Sequence, residues 1–246
     1  MKKNKLLLVS AIMISILTPM SQVKADWKRD NVGWWYSLNN GSYYKNTGAN
    51  IDGKSYKFDD RGYMITGWQY NVYNGGDYSG WYYYDPVTGE EKRGWQLIDG
   101  KWYYLTPFGA RSGHENINGK LYYFDPVNCD MKTGWISNPG YSGTEWNYYD
   151  PESGAQVSGW QTIDGKTYCF DEFGKALAGH WILDEGKEYY FDPVNCDLKT
   201  GWLDLNGIRY YADPNDGGAF AMDKTLIIDG VSYTFSSGGS VINNEP

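Results

Sequence analysis

The sequence predicts an all-β protein: an elongated solenoid of β-hairpins, built from tandem repeats of about 20 residues. Three observations lead there. The stretches INGKLYYFDPVNCDMKTGW (117–135), IDGKTYCFDEFGKALAGHW (163–181) and DEGKEYYFDPVNCDLKTGW (184–202) are copies of one another. Trp160, Trp181 and Trp202 stand 21 residues apart, and the 40-residue step from Trp95 to Trp135 fits two units if Gly113-His114 is a degenerate Gly-Trp. Aromatic residues make up 18% of the chain and recur with this period, which assigns them to the repeat. A period so short is too small for an independent domain, so each unit must bury its apolar face against its neighbours.

Each part of the unit follows from local chemistry. The pairs Asp52-Gly53, Asp99-Gly100, Asn118-Gly119, Asp164-Gly165, Asn206-Gly207 and Asp229-Gly230 supply the positive φ angles that a type I′ hairpin turn demands. An aromatic strand follows, such as Lys101-Trp102-Tyr103-Tyr104-Leu105, in which Trp102 and Tyr104 share one face and Tyr103 takes the other. Asp-Pro then ends the strand at Asp85-Pro86, Asp125-Pro126, Asp150-Pro151 and Asp192-Pro193, because proline cannot donate to a ladder.

The N-terminus has the form of a secretory signal peptide over residues 1–25. Lys2, Lys3 and Lys5 precede an apolar run from Leu6 to Leu17, and Val23-Lys24-Ala25 provides small residues for cleavage before Asp26. The apolar run is short for a retained membrane span, which needs about 18 residues or more. The expected product is therefore secreted, with no membrane span of its own after cleavage. Without the four lysines of residues 1–25, the mature chain sets 18 basic against 30 acidic side chains, a formal charge of −12. That balance argues against nucleic acid and favours a cationic or neutral partner.

The order Gly-Trp, Asp-Gly-Lys-x-Tyr-Tyr-Phe, Gly-containing turn, next Gly-Trp resembles the cell-wall-binding repeats of choline-binding proteins. It is also similar to the repeats of clostridial toxins and streptococcal glucan-binding enzymes, and it covers roughly residues 26–244. The choline-binding resemblance implies a cage of three rings between neighbouring hairpins. Two rings come from one unit, the Gly-Trp tryptophan and the residue before Tyr-Tyr; the third is the first tyrosine of the following unit. A quaternary ammonium donates no hydrogen bond, so ring faces hold it best, each worth about 0.5–2 kcal/mol when desolvated.

Carried over position by position, the pattern is met by Trp95, Trp102 and Tyr122 with a short hairpin. Trp68, Trp81 and Tyr103 meet it if Tyr70 to Gly80 is an inserted loop. Trp135, Trp146 and Tyr168 meet it with the tip lengthened by Asn138 to Gly143. Trp27, Trp34 and Tyr56 match in spacing at the N-terminal end. Beyond residue 160 the wall position is Thr167, Glu188, Arg209 and Ser232, so those units keep the hairpin frame without the cage. The division expected is thus residues 26–170 with complete aromatic cages and residues 171–246 with degenerate ones. The alternative is that the rings only staple adjacent hairpins.

Other chemistry has little footing. His114 and His180 are the only histidines, and neither belongs to a nucleophile or zinc motif. Asp125 to Asp130 is rich in oxygen but lacks the spacing of a calcium loop, and the recurrent aspartates before proline are turn formers. No cofactor motif is present, and a non-catalytic protein is expected. Cys129 and Cys196 occupy equivalent turns about three units apart, on the order of 30 Å, beyond disulfide reach, and Cys169 replaces a strand tyrosine. Two function classes remain. One is a cell-surface protein held non-covalently through choline on Gram-positive teichoic acid or wall glycan, with a host or wall-associated protein as a further partner. The other is a lectin-like secreted module that stacks its rings on glucan or host glycan.

Overall fold

A computed structural model describes residues 24–71, 79–140, 143–183 and 186–245. Residues 1–23, which hold most of the expected signal peptide, and residues 72–78, 141–142, 184–185 and 246 lie outside them. The described residues form antiparallel hairpins and short turns, with one 3-10 turn at Pro214–Asp216. Two compact units divide at Lys92 and Arg93. That boundary concerns packing, whereas the division at residue 170 concerns which aromatic positions are filled.

The first unit holds three hairpins: β1 (Asp26–Arg29) with β2 (Trp34–Ser37), β3 (Thr47–Ile51) with β4 (Lys54–Phe58), and β5 (Gly67–Asn71) with β6 (Gly80–Tyr84). The second holds seven. They pair β7 (Gly94–Ile98) with β8 (Lys101–Thr106), β10 (Gly113–Ile117) with β11 (Lys120–Phe124), and β13 (Gly134–Gly140) with β14 (Gly143–Tyr149). Then come β15 (Gly159–Ile163) with β16 (Lys166–Phe170), β17 (Gly179–Leu183) with β18 (Lys187–Phe191), β19 (Gly201–Leu205) with β20 (Ile208–Asp213), and β22 (Thr225–Ile228) with β23 (Val231–Phe235). Short third strands β9 (Gly109–Ala110), β12 (Met131–Lys132), β21 (Ala219–Phe220) and β24 (Val241–Glu245) add to some of them. Within each unit the hairpins follow one another as a solenoid does, and no barrel closes.

The six Asp-Gly and Asn-Gly turns all have positive φ at both residues, from 50° to 53° at the first and 76° to 82° at the second, as type I′ requires. The glycine of Gly-Trp has a separate backbone reason. Gly94, Gly113, Gly134, Gly159 and Gly179 each open a strand at φ between 67° and 79°, where a side chain would be strained. Each lies opposite a large side chain, as Gly113 does Phe124 and Gly134 does Tyr149. Three of those partners, Phe124, Tyr149 and Phe191, are fully buried, as are Phe58 and Phe235 at the ends of their own strands.

Successive units are tied through their backbones. Met64 N–H donates to the Trp34 carbonyl (2.7 Å), Gln156 to Leu121 (2.8 Å), Ala176 to Trp146 (2.8 Å) and Leu198 to Thr167 (2.8 Å). Every acceptor holds the wall position of its hairpin, three residues before the end of the paired strand. The tie uses no side chain, so this position keeps its place whether it carries Trp, Leu or Thr.

The turns after the aromatic strands are built by aspartate. Asp85 Oδ1 accepts from the amides of Val87 and Thr88, Asp125 from Val127 and Asn128, and Asp192 from Val194 and Asn195, all between 2.8 and 2.9 Å. A lysine completes each: Lys92 on Asp85 (2.9 Å), Lys132 on Asp125 (3.5 Å) and Lys199 on Asp192 (3.0 Å). The Asn195 amide, with Lys199 and the Val194 amide, holds the Asp192 carboxyl at about 2; Asp85 and Asp125 are lowered by the same kind of contact. A depressed folded pKa makes the contribution present above the unfolded value of about 3.9 and lost as pH falls through the folded one. Resistance to urea should therefore be constant above about pH 5 and drop steeply between about pH 4 and 2, with part of the drop absent in Asp192→Asn. A flat profile across that window would show that these turns do not couple to stability.

One register differs from expectation. Trp181 is not the counterpart of Trp160 and Trp202, despite the equal spacing. Trp160 faces Cys169 and Trp202 faces Tyr211, but in the intervening hairpin His180 takes that place opposite Tyr190, and Trp181 faces Tyr189. Three residues separate the paired ends Leu183 and Lys187, against two in the Asp164-Gly165 turn. The extra residue moves Trp181 one place along the strand and hence to the opposite face. Its ring is 41% exposed and its indole N–H donates to the Ala178 carbonyl (2.7 Å). The insertion Asn138 to Gly143 lengthens the strands themselves, adding the pairs Asn138–Glu145, Pro139–Thr144 and Gly140–Gly143.

Candidate ligand-binding site

The tryptophan of each Gly-Trp sits inside a repeated aromatic cluster. Trp135 meets Tyr148 of its own hairpin at 5.1 Å between centroids, and Tyr168 and Phe170 of the next hairpin at 4.8 and 5.7 Å. Trp95 meets Tyr104, Tyr122 and Phe124 at 5.2, 4.8 and 5.7 Å, and Trp27 meets Tyr36, Tyr56 and Phe58 at 5.2, 4.9 and 6.0 Å. The tyrosine contacts are edge-to-face, the favoured approach of two ring quadrupoles. Trp160 with Tyr189 and Phe191, and Trp202 with Tyr211, Tyr233 and Phe235, repeat the same distances to within about half an ångström. This cluster is the staple between hairpins.

The wall position, the partner of Leu97 in one hairpin and of Ser137 in another, is where a further ring joins the cluster. Trp102 stands 6.3 Å from Trp95 with an interplanar angle of 83°, and Trp146 stands 6.4 Å from Trp135 at 84°. The wall ring stands perpendicular to the staple ring, and Trp102 is 44% exposed where a packing residue would be covered. The structure thus gathers Trp95, Trp102 and Tyr122, and likewise Trp135, Trp146 and Tyr168, as the sequence suggested. Trp27, Trp34 and Tyr56 come together too, lining an open cleft of about 290 Å³ with Met64, Val87 and Thr88. In the first unit Trp68 packs on Tyr83 at 5.0 Å and Trp81 on Tyr70 at 5.3 Å. Tyr103, the third residue of that expected set, is buried in β8 of the second unit.

Sequence reasoning missed two kinds of residue. The first is Met64, which closes the Trp27 cleft from the turn after the next hairpin. Its signal was available: Met64 and Met131 each stand three residues before a Gly-Trp glycine. The second is the backing of the wall ring. Arg29, Tyr70 and Leu97 are the cross-strand partners of Trp34, Trp81 and Trp102, and the Arg29 guanidinium lies 5.5 Å from the Trp34 ring. This partner is read from register alone, which the turn length fixes.

Where tryptophan is absent from the key positions, polar contacts take over. His180 Nε2 is 2.7 Å from Glu188 Oε2, and the imidazole stacks on Phe220 at 5.6 Å. His114 packs at 4.7 Å on Tyr123, and burial lowers its pKa. Asp125 and Asp130, part of the oxygen-rich turn, are engaged by Lys132 (3.5 and 2.9 Å), and Asp130 also by Lys101 (3.4 Å). The three cysteines are buried, and burial raises the pKa of Cys129 and Cys196.

The choline-binding repeat family matches residues 112–159 and 157–198. No curated protein sequence matches the chain. Among solved structures, the modular autolysin LytC from Streptococcus pneumoniae is 24% identical over 89% of this chain and 48% of its own, with a TM-score of 0.55. The chain therefore spans about half of LytC, and the likeness is one of fold. CbpF from Streptococcus pneumoniae, solved in complex with ipratropium, is 23% identical over 90% of this chain and 99% of its own, with a TM-score of 0.48. CbpJ from the same species is 25% identical over 89% and 100%, with a TM-score of 0.37. Residues 112–198 thus match the choline-binding repeat family, and the same hairpin frame continues on either side of them.

Proposed function

We propose that this is a secreted, non-catalytic cell-wall-binding protein that attaches to choline on Gram-positive teichoic acids through three-ring cages between successive hairpins. The observation that carries the reading is the Trp135–Trp146–Tyr168 cage, which lies wholly inside the family match and has near-identical geometry in Trp95–Trp102–Tyr122. The trimethylammonium group has no N–H to donate, so electron-rich faces set at right angles suit it, and the acidic surface raises the local concentration of cations. The same reasoning extends to Trp27–Trp34–Tyr56. Several weak cages on one chain, facing ligands tethered to one surface, turn modest affinities into firm attachment.

Calorimetric titration of residues 26–246 with choline should give saturable binding in the millimolar range, with a matching change in tryptophan fluorescence. Trp146→Ala should remove one site and leave the others. No heat with choline but a response to a glucan oligosaccharide would replace this reading with the lectin-like one, in which exposed ring faces stack on sugars. Hydrolysis of purified wall by the pure protein would overturn the non-catalytic part.

A further inference from the structure

Arg209 occupies the wall position of the ninth hairpin. It is the residue before the tyrosine pair of β20, faces Asp204 across the hairpin, and so corresponds in register to Trp102 opposite Leu97 and Trp146 opposite Ser137. Behind it the aromatic staple is complete: Trp202 has Tyr233 at 4.7 Å and Tyr211 at 5.0 Å. What differs is the group in front of the ring. The Arg209 guanidinium carbon lies 4.4 Å from the Trp202 centroid, nearer than the 6.3 and 6.4 Å at which the wall tryptophans stand in the open cages. Its charge is therefore inside the space that a wall ring would enclose.

We propose that Arg209 is an internal cation that fills the Trp202 site, so that this site is closed to choline and to other quaternary ammonium ligands. The inference rests on the proposed choline reading of the other cages. The physical case is direct. Guanidinium over an indole face is the arrangement that tryptophan favours most strongly among cation–π contacts. The charge is tethered to the strand by the arginine's own side chain, so no external cation competes with it on equal terms. Asp204 Oδ1, 4.0 Å from Arg209 Nε, is placed to keep the guanidinium on the ring side of the strand.

The neighbouring Trp160 site is the natural comparison. It has the same staple, with Tyr189 at 5.0 Å and Phe191 at 5.7 Å, but Thr167 at the wall, too short and uncharged to cover the ring; Trp160 is 37% exposed. Loss of the wall ring thus leaves Trp160 partly exposed, whereas at Trp202 the ring is covered by a charge of the ligand's own sign. Arg209 sets specificity by occupation.

The test counts choline sites by calorimetry in the wild type, Arg209→Trp and Thr167→Trp, and follows the Arg209 side-chain protons by NMR. Arg209→Trp should add one site to the wild-type number, as should Thr167→Trp. In the wild type the Arg209 δ and ε protons should be displaced by the Trp202 ring current and stay displaced at saturating choline. A wild type that binds choline while Arg209→Trp, folded by circular dichroism, gains no site would overturn the proposal. So would Arg209 protons that move to random-coil positions as choline is added, or that lie there from the start. Absence of choline binding in the wild type, with the ring-current displacement intact, would count instead against the proposed function.

Discussion

Trp95→Ala should cost about 3 kcal/mol of stability and abolish one ligand site, whereas Trp102→Ala should abolish the same site at a cost below about 1 kcal/mol. Trp95 touches Trp102, Tyr104, Tyr122 and Phe124, rings from its own hairpin and the next, and Phe124 is fully buried. Its removal opens a cavity that two units line, and a solenoid has no other contacts with which to close it. Trp102 is 44% exposed, and its backbone neighbours are held by the hairpin register rather than by its ring. The two tryptophans of one cage thus separate stability from binding. Urea denaturation followed by far-ultraviolet circular dichroism, beside a choline titration of each variant, checks both. Equal loss of stability in the two variants would mean that the wall ring is a second staple and that its exposure has been misread as a binding face.

That separation also explains how much of the molecule was legible in its sequence. The hairpins were, because type I′ turns need Asp-Gly or Asn-Gly, and each of the six pairs has the required φ values. The staple was legible through Gly-Trp and Tyr-Tyr-Phe, since the alternation of a strand fixes which rings share a face. Trp181 was misplaced because spacing along the chain does not report a one-residue change in turn length. Only pairing shows that Leu183 meets Lys187, three residues of sequence between them, and that His180 stands in the tryptophan's place. Arg209 was legible as a missing wall, but not as a charge on the Trp202 face. A sequence gives the residue at a position, and where a long flexible side chain ends depends on the ring and the carboxylate that neighbour it in space.

The turn cysteines, for which the sequence offers no reason, acquire one from packing, and it yields the second strong prediction. At the left-handed position of these turns stand Gly89, Gly154 and Gly174, but also Cys129 and Cys196, both at φ 62°. A Cβ on Gly89 would run into Met64, on Gly154 into Met131, on Gly174 into Gln156, and on Gly218 of a related turn into Leu198 at 2.8 Å. In each case the obstacle is the residue that pairs back onto the aromatic strand in the preceding turn. For Cys196 that residue is Ala176, which shares its buried cluster, and for Cys129 the register gives Ala110. Cysteine is therefore found where the preceding turn is small, and glycine where it is large: the pair conserves volume while the backbone stays the same.

Ala176→Met should overpack the joint against Cys196 and cost about 1–3 kcal/mol. Cys196→Gly alone should stay within about 1 kcal/mol, because the void it leaves is offset by removing a side chain from the left-handed region. Made together, the two recreate the Met131–Gly154 pairing, so the double variant should recover most of what Ala176→Met loses, a coupling of about 1–2 kcal/mol. Denaturation midpoints of the four proteins in the cycle measure it. Simple additivity would mean that consecutive turns do not share this volume, and cysteine at these two positions would again lack a physical cause.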